Sequence, residues 1–209
     1  MKDYSQWGEG KFIVDFFKGK SRGRFLDIGA FDGITGSNTR NLSDLGWDGL
    51  CIEASPFNFP ALLENHRGNP RITCLLAAVI PYESEHAVEF YDAGGQIGTT
   101  MANHKLGHHV KRKYRVAGIT PNEIFQAFGS RWDFVSLDIE GADLAVLECL
   151  GVLLTETQMI CVEDAIPNMA FDKGYHDRLL AAAAEHGFTK VIATTTDSTR
   201  SANTLLARP

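Results

Sequence analysis

FLDIGAFDG, residues 25–33, carries a run of apolar residues into a glycine-rich turn. Such a turn lets the backbone approach a ligand closely, and a helix that follows it offers unpaired N–H groups. Gly29 and Gly33 are the predicted positions of close approach. The next apolar run ends in Glu53, about 20 residues beyond the turn, where an acid can bind the hydroxyls of a ribose. The stretch therefore predicts a strand, turn, helix and strand that bind a nucleoside.

The charge of this turn indicates which nucleoside it binds. A dinucleotide site has three glycines in the pattern G-x-G-x-x-G and little negative charge, because a pyrophosphate must reach the helix N-terminus. This turn has two glycines together with Asp27 and Asp32. S-adenosylmethionine (SAM) carries no phosphate, and carboxylates attract its ammonium and sulfonium groups. The turn therefore favours SAM. An NAD-linked oxidoreductase is the enzymatic alternative, and a SAM-binding module without turnover is the non-enzymatic one.

Composition narrows the class of protein. The 209 residues are 44% hydrophobic, which suits a single domain over residues 1–209 with a sizeable core. A net charge of −6 disfavours nucleic acid and anionic membranes as partners. The four cysteines lie in apolar runs without CxxC spacing, and the N-terminus lacks the apolar core of a signal peptide. We therefore expect a soluble, cytoplasmic protein.

Apolar, β-rich runs alternate with helical patterns along the chain, which is typical of a parallel sheet covered by helices on both faces. The predicted strands are 24–28, 50–53, 72–79, 134–138, 159–163, 189–193 and 204–207. The predicted helices are 36–45, 58–65, 120–128, 142–150 and 176–186, after an N-terminal helical segment within residues 1–22. Residues 93–118 interrupt the alternation with several glycines and predict an excursion over the cofactor site that determines substrate specificity.

Acidic side chains follow the fourth and fifth predicted strands. Asp138 and Glu140 follow one strand, and Glu163 and Asp164 follow the other. Ligands of an open α/β sheet bind at the carboxyl ends of its strands, so we expect Asp138 and Glu163 to face each other there. Such acids could accept a proton from a substrate hydroxyl, coordinate a divalent cation, or cap the helices that follow. For Glu140 a capping role and a catalytic role stay equally open.

Histidines within the predicted excursion offer a second candidate base. His104 and His108 are four residues apart, but Gly107 lies between them, which disfavours a metal-binding pair on one helix. Imidazole titrates near neutrality, so His104 is a candidate general base above the cofactor.

Several segments, taken in order, resemble the FkbM-like family of SAM-dependent methyltransferases. They are a leading Ser-Gln segment, the cofactor turn, the start of the first helix, a Gly-Trp segment with the ribose acid, and a fourth-strand signature D-x-E-G, at residues 4–9, 25–33, 37–39, 46–56 and 133–143. The Gly-Trp segment and the D-x-E-G signature are more specific than a glycine turn. The chain departs from the family pattern at Gly10 and Ala54, where an acid and a proline are common.

The resemblance implies a Rossmann-like class I methyltransferase, with a seven-stranded, mostly parallel sheet, helices on both faces and an antiparallel last strand. It also implies O-methylation of a hydroxyl on a sugar or secondary metabolite, with SAM as the cofactor. The residues matched to the cofactor site are Gln6, Asp27, Gly29, Ala30, Gly33, Asn38, Glu53, Ala54 and Ala78.

Catechol-type methyltransferases share this sheet, and Asp138, Glu163 and Asp164 stand where those enzymes place their Mg²⁺ ligands. A Mg²⁺ site is therefore an alternative to a carboxylate or histidine base. The predicted partner is a small-molecule acceptor, and the choice between a monomer and a homodimer stays open.

Overall fold

The computed structural model describes residues 2–81, 86–95, 97–100, 110–164, 173–196 and 202–209. Within these residues the helices are α1 (Glu9–Phe16), α2 (Arg40–Asp44), α3 (Phe59–Asn65), α4 (Pro121–Phe128), α5 (Asp143–Cys149) and α6 (Lys173–Glu185). The strands are β1 (Arg24–Ile28), β2 (Asp48–Glu53), β3 (Ile72–Leu76), β4 (Ala78–Val79), β5 (Ala87–Gly94), β6 (Ile97–Thr99), β7 (Arg112–Ile119), β8 (Phe134–Leu137), β9 (Met159–Glu163), β10 (Lys190–Thr196) and β11 (Ala202–Ala207). No helix in this described part is long and apolar enough to span a membrane.

The main sheet has seven strands in the order β10-β11-β9-β8-β1-β2-β3. Strands β3, β2, β1, β8 and β9 pair in parallel. The last strand, β11, runs antiparallel to both of its neighbours, β9 and β10. This arrangement confirms the predicted class I methyltransferase fold. Strands β8 and β9 are buried along their whole length, as expected for strands covered on both faces.

Alternate residues of each strand face two different hydrophobic cores. In β1, Leu26 and Ile28 join a core that also contains side chains of α4, α5 and α6. Phe25 joins a second core with side chains of α1, α2 and α3. This two-residue period places the helices in two layers, one on each side of the sheet. Residues at the carboxyl ends of β1, β2, β8 and β9 border a cavity.

The first helix of the nucleoside unit begins later than the sequence predicts. The pattern indicates a helix over 36–45, whereas α2 starts at Arg40 and residues 29–39 form a loop. The Asp32 carboxylate accepts hydrogen bonds from the backbone N–H groups of Ile34 and Thr35, which holds this loop in a turn. Gly36 adopts a positive φ of 68°, which an ordinary helix does not accommodate.

A second sheet of four strands, in the order β4-β7-β5-β6, was not predicted. The predicted strand over 72–79 divides at Ala77, since β3 ends at Leu76 and β4 pairs with β7 instead. Part of the predicted excursion over 93–118 also forms strands, and β5 and β7 pair antiparallel over six residues each. A small core of Ala78, Phe90 and Val116 holds this sheet together.

Candidate functional site

A cavity of about 290 Å³ opens at the carboxyl ends of β1, β2, β8 and β9. Its walls come from the loops that follow these strands, from the N-terminal segment and from the second sheet. Most of the predicted site residues line it, namely Gln6, Asp27, Gly29, Ala30, Asn38, Glu53, Ala54, Ala78, Asp138, Glu140 and Glu163. The cavity therefore lies where ligands bind open α/β sheets.

Gly29 allows the loops after β1 and β8 to cross at the floor of the cavity. Its φ is 90°, and a Cβ at this position would overlap the backbone carbonyl oxygen of Asp138. The backbone N–H groups of Gly29 and Ala30 both donate to the carbonyl of Ile52, at 2.9 and 3.0 Å. Three strand ends are thus joined at one point, and a residue with a side chain does not fit there.

The substitution Gly29→Ala should lower the free energy of unfolding by about 4 kcal/mol, because left-handed strain and a backbone clash add together. Gly19→Ala is the matched control. Gly19 has a φ of 92° but nothing within 4 Å of the added Cβ, so only the strain of about 1 kcal/mol is expected. Urea unfolding of both variants measures the difference. Equal losses would show that the loop crossing tolerates a side chain.

Gly33 lies outside the cavity wall, in contrast to the prediction. Its φ is 73°, and an added Cβ would meet the side chains of His66 at 2.6 Å and Leu62 at 2.8 Å. Its N–H donates to the carbonyl of Ala30 at 2.8 Å. Gly33 therefore packs the turn against α3. Gly36, three residues further along the same loop, borders the cavity instead.

Glu53 is fixed at the middle of the cavity by two backbone donors. Its carboxylate accepts from the N–H of Phe31 at 2.9 Å and from the N–H of Ser55 at 2.7 Å. Burial raises the pKa of Glu53 to about 7, and the nearby charges of Asp27 and Asp92 add to the increase. Each carboxylate oxygen retains a lone pair for a hydroxyl donor such as a ribose.

Asp27 and Asn38 line the cavity beside Glu53. Thr39 Oγ1 donates to the Asp27 carboxylate at 2.6 Å, and burial raises the pKa of Asp27 to about 6. The Asn38 amide donates to Ser136 Oγ at 3.3 Å and to Cys161 Sγ at 3.5 Å. Asn38 Oδ1 is buried without a hydrogen-bond partner among the described residues. A buried acceptor of this kind suits a ligand that brings a donor.

The N-terminal segment forms one wall of the cavity. Gln6 and Trp7 line it, and Ser5 pairs with Gly36 in an isolated parallel bridge. The fully buried Glu9 carboxylate accepts from the N–H of Trp7 at 2.9 Å. The segment is thereby held across the loop that follows β1.

Glu9 also joins this segment to the last two strands. Thr195 Oγ1 and the Asn203 amide donate to the Glu9 carboxylate at 2.5 and 2.9 Å. At Gly10, an added Cβ would meet the carboxylate of Asp3 at 2.5 Å and the amide of Asn41 at 2.8 Å. The glycine found here in place of the family's acid thus permits close packing of α1.

Asp138 and Glu163 face each other at the other end of the cavity and share a hydrogen bond. Burial raises the pKa of Asp138 to about 6. Burial raises the pKa of Glu163 well above its usual value, and the charge of Asp138 adds to this increase. The pair therefore holds one proton near neutral pH, with Glu163 donating to the Asp138 carboxylate. The second oxygen of Glu163, Oε2, is buried without a partner among the described residues.

Glu140 and Asp143 complete the acidic end of the cavity. Glu140 has a φ of 56°, an unusual conformation for a non-glycine residue. Burial, followed by the charge of Asp138, raises the pKa of Glu140 to about 8. The Asp143 carboxylate accepts from the N–H groups of Ile139 at 2.8 Å and Gly141 at 2.9 Å, so it holds the D-x-E-G loop in shape. Burial raises its pKa to about 7.

The third acid of the predicted metal set lies elsewhere. The Asp164 carboxylate accepts from Thr204 Oγ1 at 2.6 Å and contacts His176 Nδ1, so it faces β11 and α6. Asp143 takes its place, since one oxygen each of Asp138, Asp143 and Glu163 lie within 4.8 Å of one another. Asp164 is the first residue after β9, and its contacts with Thr204 and His176 direct its carboxylate away from the cavity.

His104 and Asp143 differ from the other candidate acids and bases in how the sequence represented them. His104, the candidate histidine base, lies outside the described residues. Asp143 was not singled out, although its position two residues after Gly141 is a signal for a carboxylate that caps a turn. The cysteines are free, with Cys51 and Cys161 buried and the other two partly buried.

The cavity is acidic. Asp27, Glu53, Asp92, Asp138, Glu140 and Glu163 border it, and none of its described lining residues is a lysine, an arginine or a histidine. Such a site attracts a cation and repels a pyrophosphate.

Sequence comparison assigns this site to a family. The model of the methyltransferase FkbM domain matches residues 27–190, a span that contains most of the cavity wall. This chain belongs to the FkbM methyltransferase family. The resemblance drawn from the segment motifs is thereby confirmed, and this member of the family is a SAM-dependent methyltransferase. No curated protein sequence matches the chain significantly.

Solved structures similar to this FkbM methyltransferase include three methyltransferases or their complexes. A fibrillarin/Nop5p complex has a chain with a TM-score of 0.56 at 16% identity, covering 98% of this chain and 84% of that one. A precorrin-6y C5,15-methyltransferase from Geobacter metallireducens has a TM-score of 0.55 at 10% identity, covering 96% and 87%. A METTL16 methyltransferase domain has a TM-score of 0.54 at 12% identity, covering 95% and 79%. These similarities show the shared fold.

Proposed function

We propose that this FkbM methyltransferase is an O-methyltransferase that acts on a hydroxyl of a small molecule, such as a sugar or a secondary metabolite. The observation that carries the proposal is the pair of facing carboxyl groups of Asp138 and Glu163 in the cavity wall, with one oxygen of each within 4.8 Å of the other. An alcohol that accepts a methyl group must lose its proton, and this pair offers a carboxylate that can take it.

The residues along the cavity fit SAM. The Glu53 carboxylate, held by two backbone donors, suits the ribose hydroxyls. Asp27 and the unpartnered Asn38 Oδ1 suit a cationic group with N–H donors, such as the ammonium of the methionine portion. When bound, SAM supplies a methyl group on a positively charged sulfur.

Asp138 is the proposed proton acceptor. Its pKa of about 6 leaves it ionised at pH 7 to 8, whereas the strongly raised pKa of Glu163 makes that residue the one of the pair that holds the proton and orients Asp138. Because charge is dispersed in methyl transfer, alignment of the acceptor oxygen is the larger contribution of the protein.

A divalent cation such as Mg²⁺ is the alternative means of activating the hydroxyl. Asp138, Asp143 and Glu163 could hold it, since their carboxylate oxygens cluster and Glu163 Oε2 is buried without a described partner. Asp143 already accepts two backbone hydrogen bonds, which favours a structural role for this acid. We therefore propose Asp138 as the base. The metal-assisted alternative is tested by comparing methyl transfer with and without Mg²⁺.

Methyl transfer from radiolabelled SAM to a panel of acceptors tests the proposal. The panel contains monosaccharides, phenols and aliphatic alcohols, together with matched amines and a short RNA. Label in the hydroxyl compounds alone supports O-methylation of a small molecule. Transfer to amines or RNA alone would contradict it, and binding of SAM without transfer to any acceptor would support a module without turnover. Loss of transfer in EDTA, restored by Mg²⁺, would favour the metal-assisted form.

A further inference from the structure

The cavity continues past Glu53 into a region walled by the second sheet. Six residues of this sheet line the cavity, of which five are small or apolar and one is a carboxylate: Ala78 and Val79 of β4, Phe90 and Asp92 of β5, and Gly98 and Thr99 of β6. Gly98 is needed because an added Cβ would overlap the ring of Phe90. The result is a mainly apolar wall that contains one carboxylate.

Two contacts fix this space beside Glu53. Ala54, the next residue, packs against the small core of the second sheet that includes Ala78 and Phe90. The Asn58 amide donates to the carbonyl of Gly95 at 3.0 Å, which joins the loop after β2 to the turn after β5. The second sheet is therefore attached to the residues that follow the ribose acid.

Asp92 is buried and held in place. Its side chain is 2% exposed, and it accepts from the N–H of Gly94 at 2.6 Å and from Arg112 Nη1 at 3.4 Å. The Arg112 guanidinium also stacks on the ring of Phe57, with its carbon 3.8 Å from the ring centroid. Each carboxylate oxygen can accept a second hydrogen bond, so Asp92 remains able to bind a donor in the cavity.

The acids form a series along the cavity. Asp138 interacts with Asp27 and Glu53, and Glu53 interacts with Asp27 and Asp92, as their raised pKa values show. A ligand with its ribose at Glu53 and its reactive group near Asp138 must place its base on the other side, towards Asp92. The end of β3 is bordered by Ala77 and offers no acid of its own for this base.

We propose that Asp92 recognises the exocyclic amino group of the cofactor's adenine, so that the second sheet determines base specificity. This inference rests on the proposed binding of SAM in the cavity. The mainly apolar wall, with the ring of Phe90 in it, suits an aromatic base, and the Asp92 carboxylate can accept a hydrogen bond from an amino group. Hypoxanthine carries a carbonyl at the same position, so it would place an oxygen against the carboxylate and lose that bond.

Calorimetric titration with S-adenosylhomocysteine and S-inosylhomocysteine tests the inference by binding alone. We expect the wild-type protein to prefer the adenine compound by about 100-fold. In Asp92→Asn, whose amide can donate to a carbonyl, the preference should fall to within about 5-fold. Glu89→Gln is the matched control, because Glu89 lies exposed on the same strand and bonds to Tyr91, and it should leave the preference unchanged.

Arg112→Gln separates recognition from structure. It removes the same ion pair but leaves the Asp92 carboxylate, so any loss of affinity should be equal for the two compounds. The inference is overturned if Asp92→Asn weakens both compounds equally or leaves the preference intact while the wild type binds the adenine compound. If the wild type binds neither compound, the proposed cofactor site fails together with the inference.

Discussion

Asp138→Asn should lower kcat for methyl transfer by about 10³-fold while changing the Kd for SAM by no more than a few-fold. The asparagine side chain keeps the size of Asp138 but cannot accept the proton of the acceptor hydroxyl. Steady-state kinetics with the best acceptor, combined with calorimetric SAM titration, separates the two effects. A loss of SAM affinity as large as the loss of kcat would contradict the assigned role.

Glu163→Gln is the matched control for this result. Glu163 is protonated and donates to Asp138, and a glutamine amide can donate in the same direction. We expect this variant to retain kcat within about tenfold of the wild type. If Glu163→Gln were as inactive as Asp138→Asn, then either Glu163 would be the group that takes the proton, or a cation held by both acids would activate the hydroxyl by lowering its pKa.

Glu53→Gln should weaken SAM binding at pH 8 by about 10- to 100-fold, because it removes the charged acceptor of the ribose hydroxyls. The pH dependence of binding is the sharper observation. In the free protein burial raises the pKa of Glu53 to about 7 and that of Asp27 to about 6, and SAM favours the ionised form of each. A fall in pH must therefore weaken binding, because both carboxyls have to lose a proton before SAM binds.

Between pH 8 and pH 6 these two pKa values predict an increase of about 20-fold in the wild-type Kd. In Glu53→Gln only Asp27 remains, and the increase should be about 2-fold. Comparing the two proteins cancels any ionisation of the ligand itself. Equal pH dependence in both would mean that Glu53 does not bind the cofactor as a carboxylate.

Most strands of the main sheet were predictable because they are apolar runs that end at a polar turn, whereas β3 is followed by further apolar residues. Leu26 and Ile28 face one core and Phe25 the other, which is the burial on both faces that a nearly continuous apolar run indicates. The antiparallel last strand followed from the family resemblance, and the structure confirms it.

The second sheet could not be predicted in the same way. Its core consists of only three buried side chains, Ala78, Phe90 and Val116, and the charged residues of β5 and β7 obscure their alternation. The division of 72–79 into β3 and β4 depends on Ala78 pairing with Gly118, a contact across 40 residues. Local pattern carries no information about such a distant partner.

The predicted and observed acidic residues differ for a related reason. Asp138 and Glu163 follow from strand ends that must lie side by side. Whether the carboxylates of Asp164 and Asp143 reach the cavity depends on the direction that each side chain takes after its strand has ended. Contacts with Thr204 and His176 turn Asp164 away, and backbone N–H groups draw Asp143 in.

Calorimetric titration of SAM and of NAD into the purified protein at pH 8 tests most directly that the acidic cavity is a SAM site. We predict micromolar binding of SAM, and no heat from NAD because its pyrophosphate meets carboxylates and no described basic residue in the cavity wall. Binding of NAD with no binding of SAM would contradict the account.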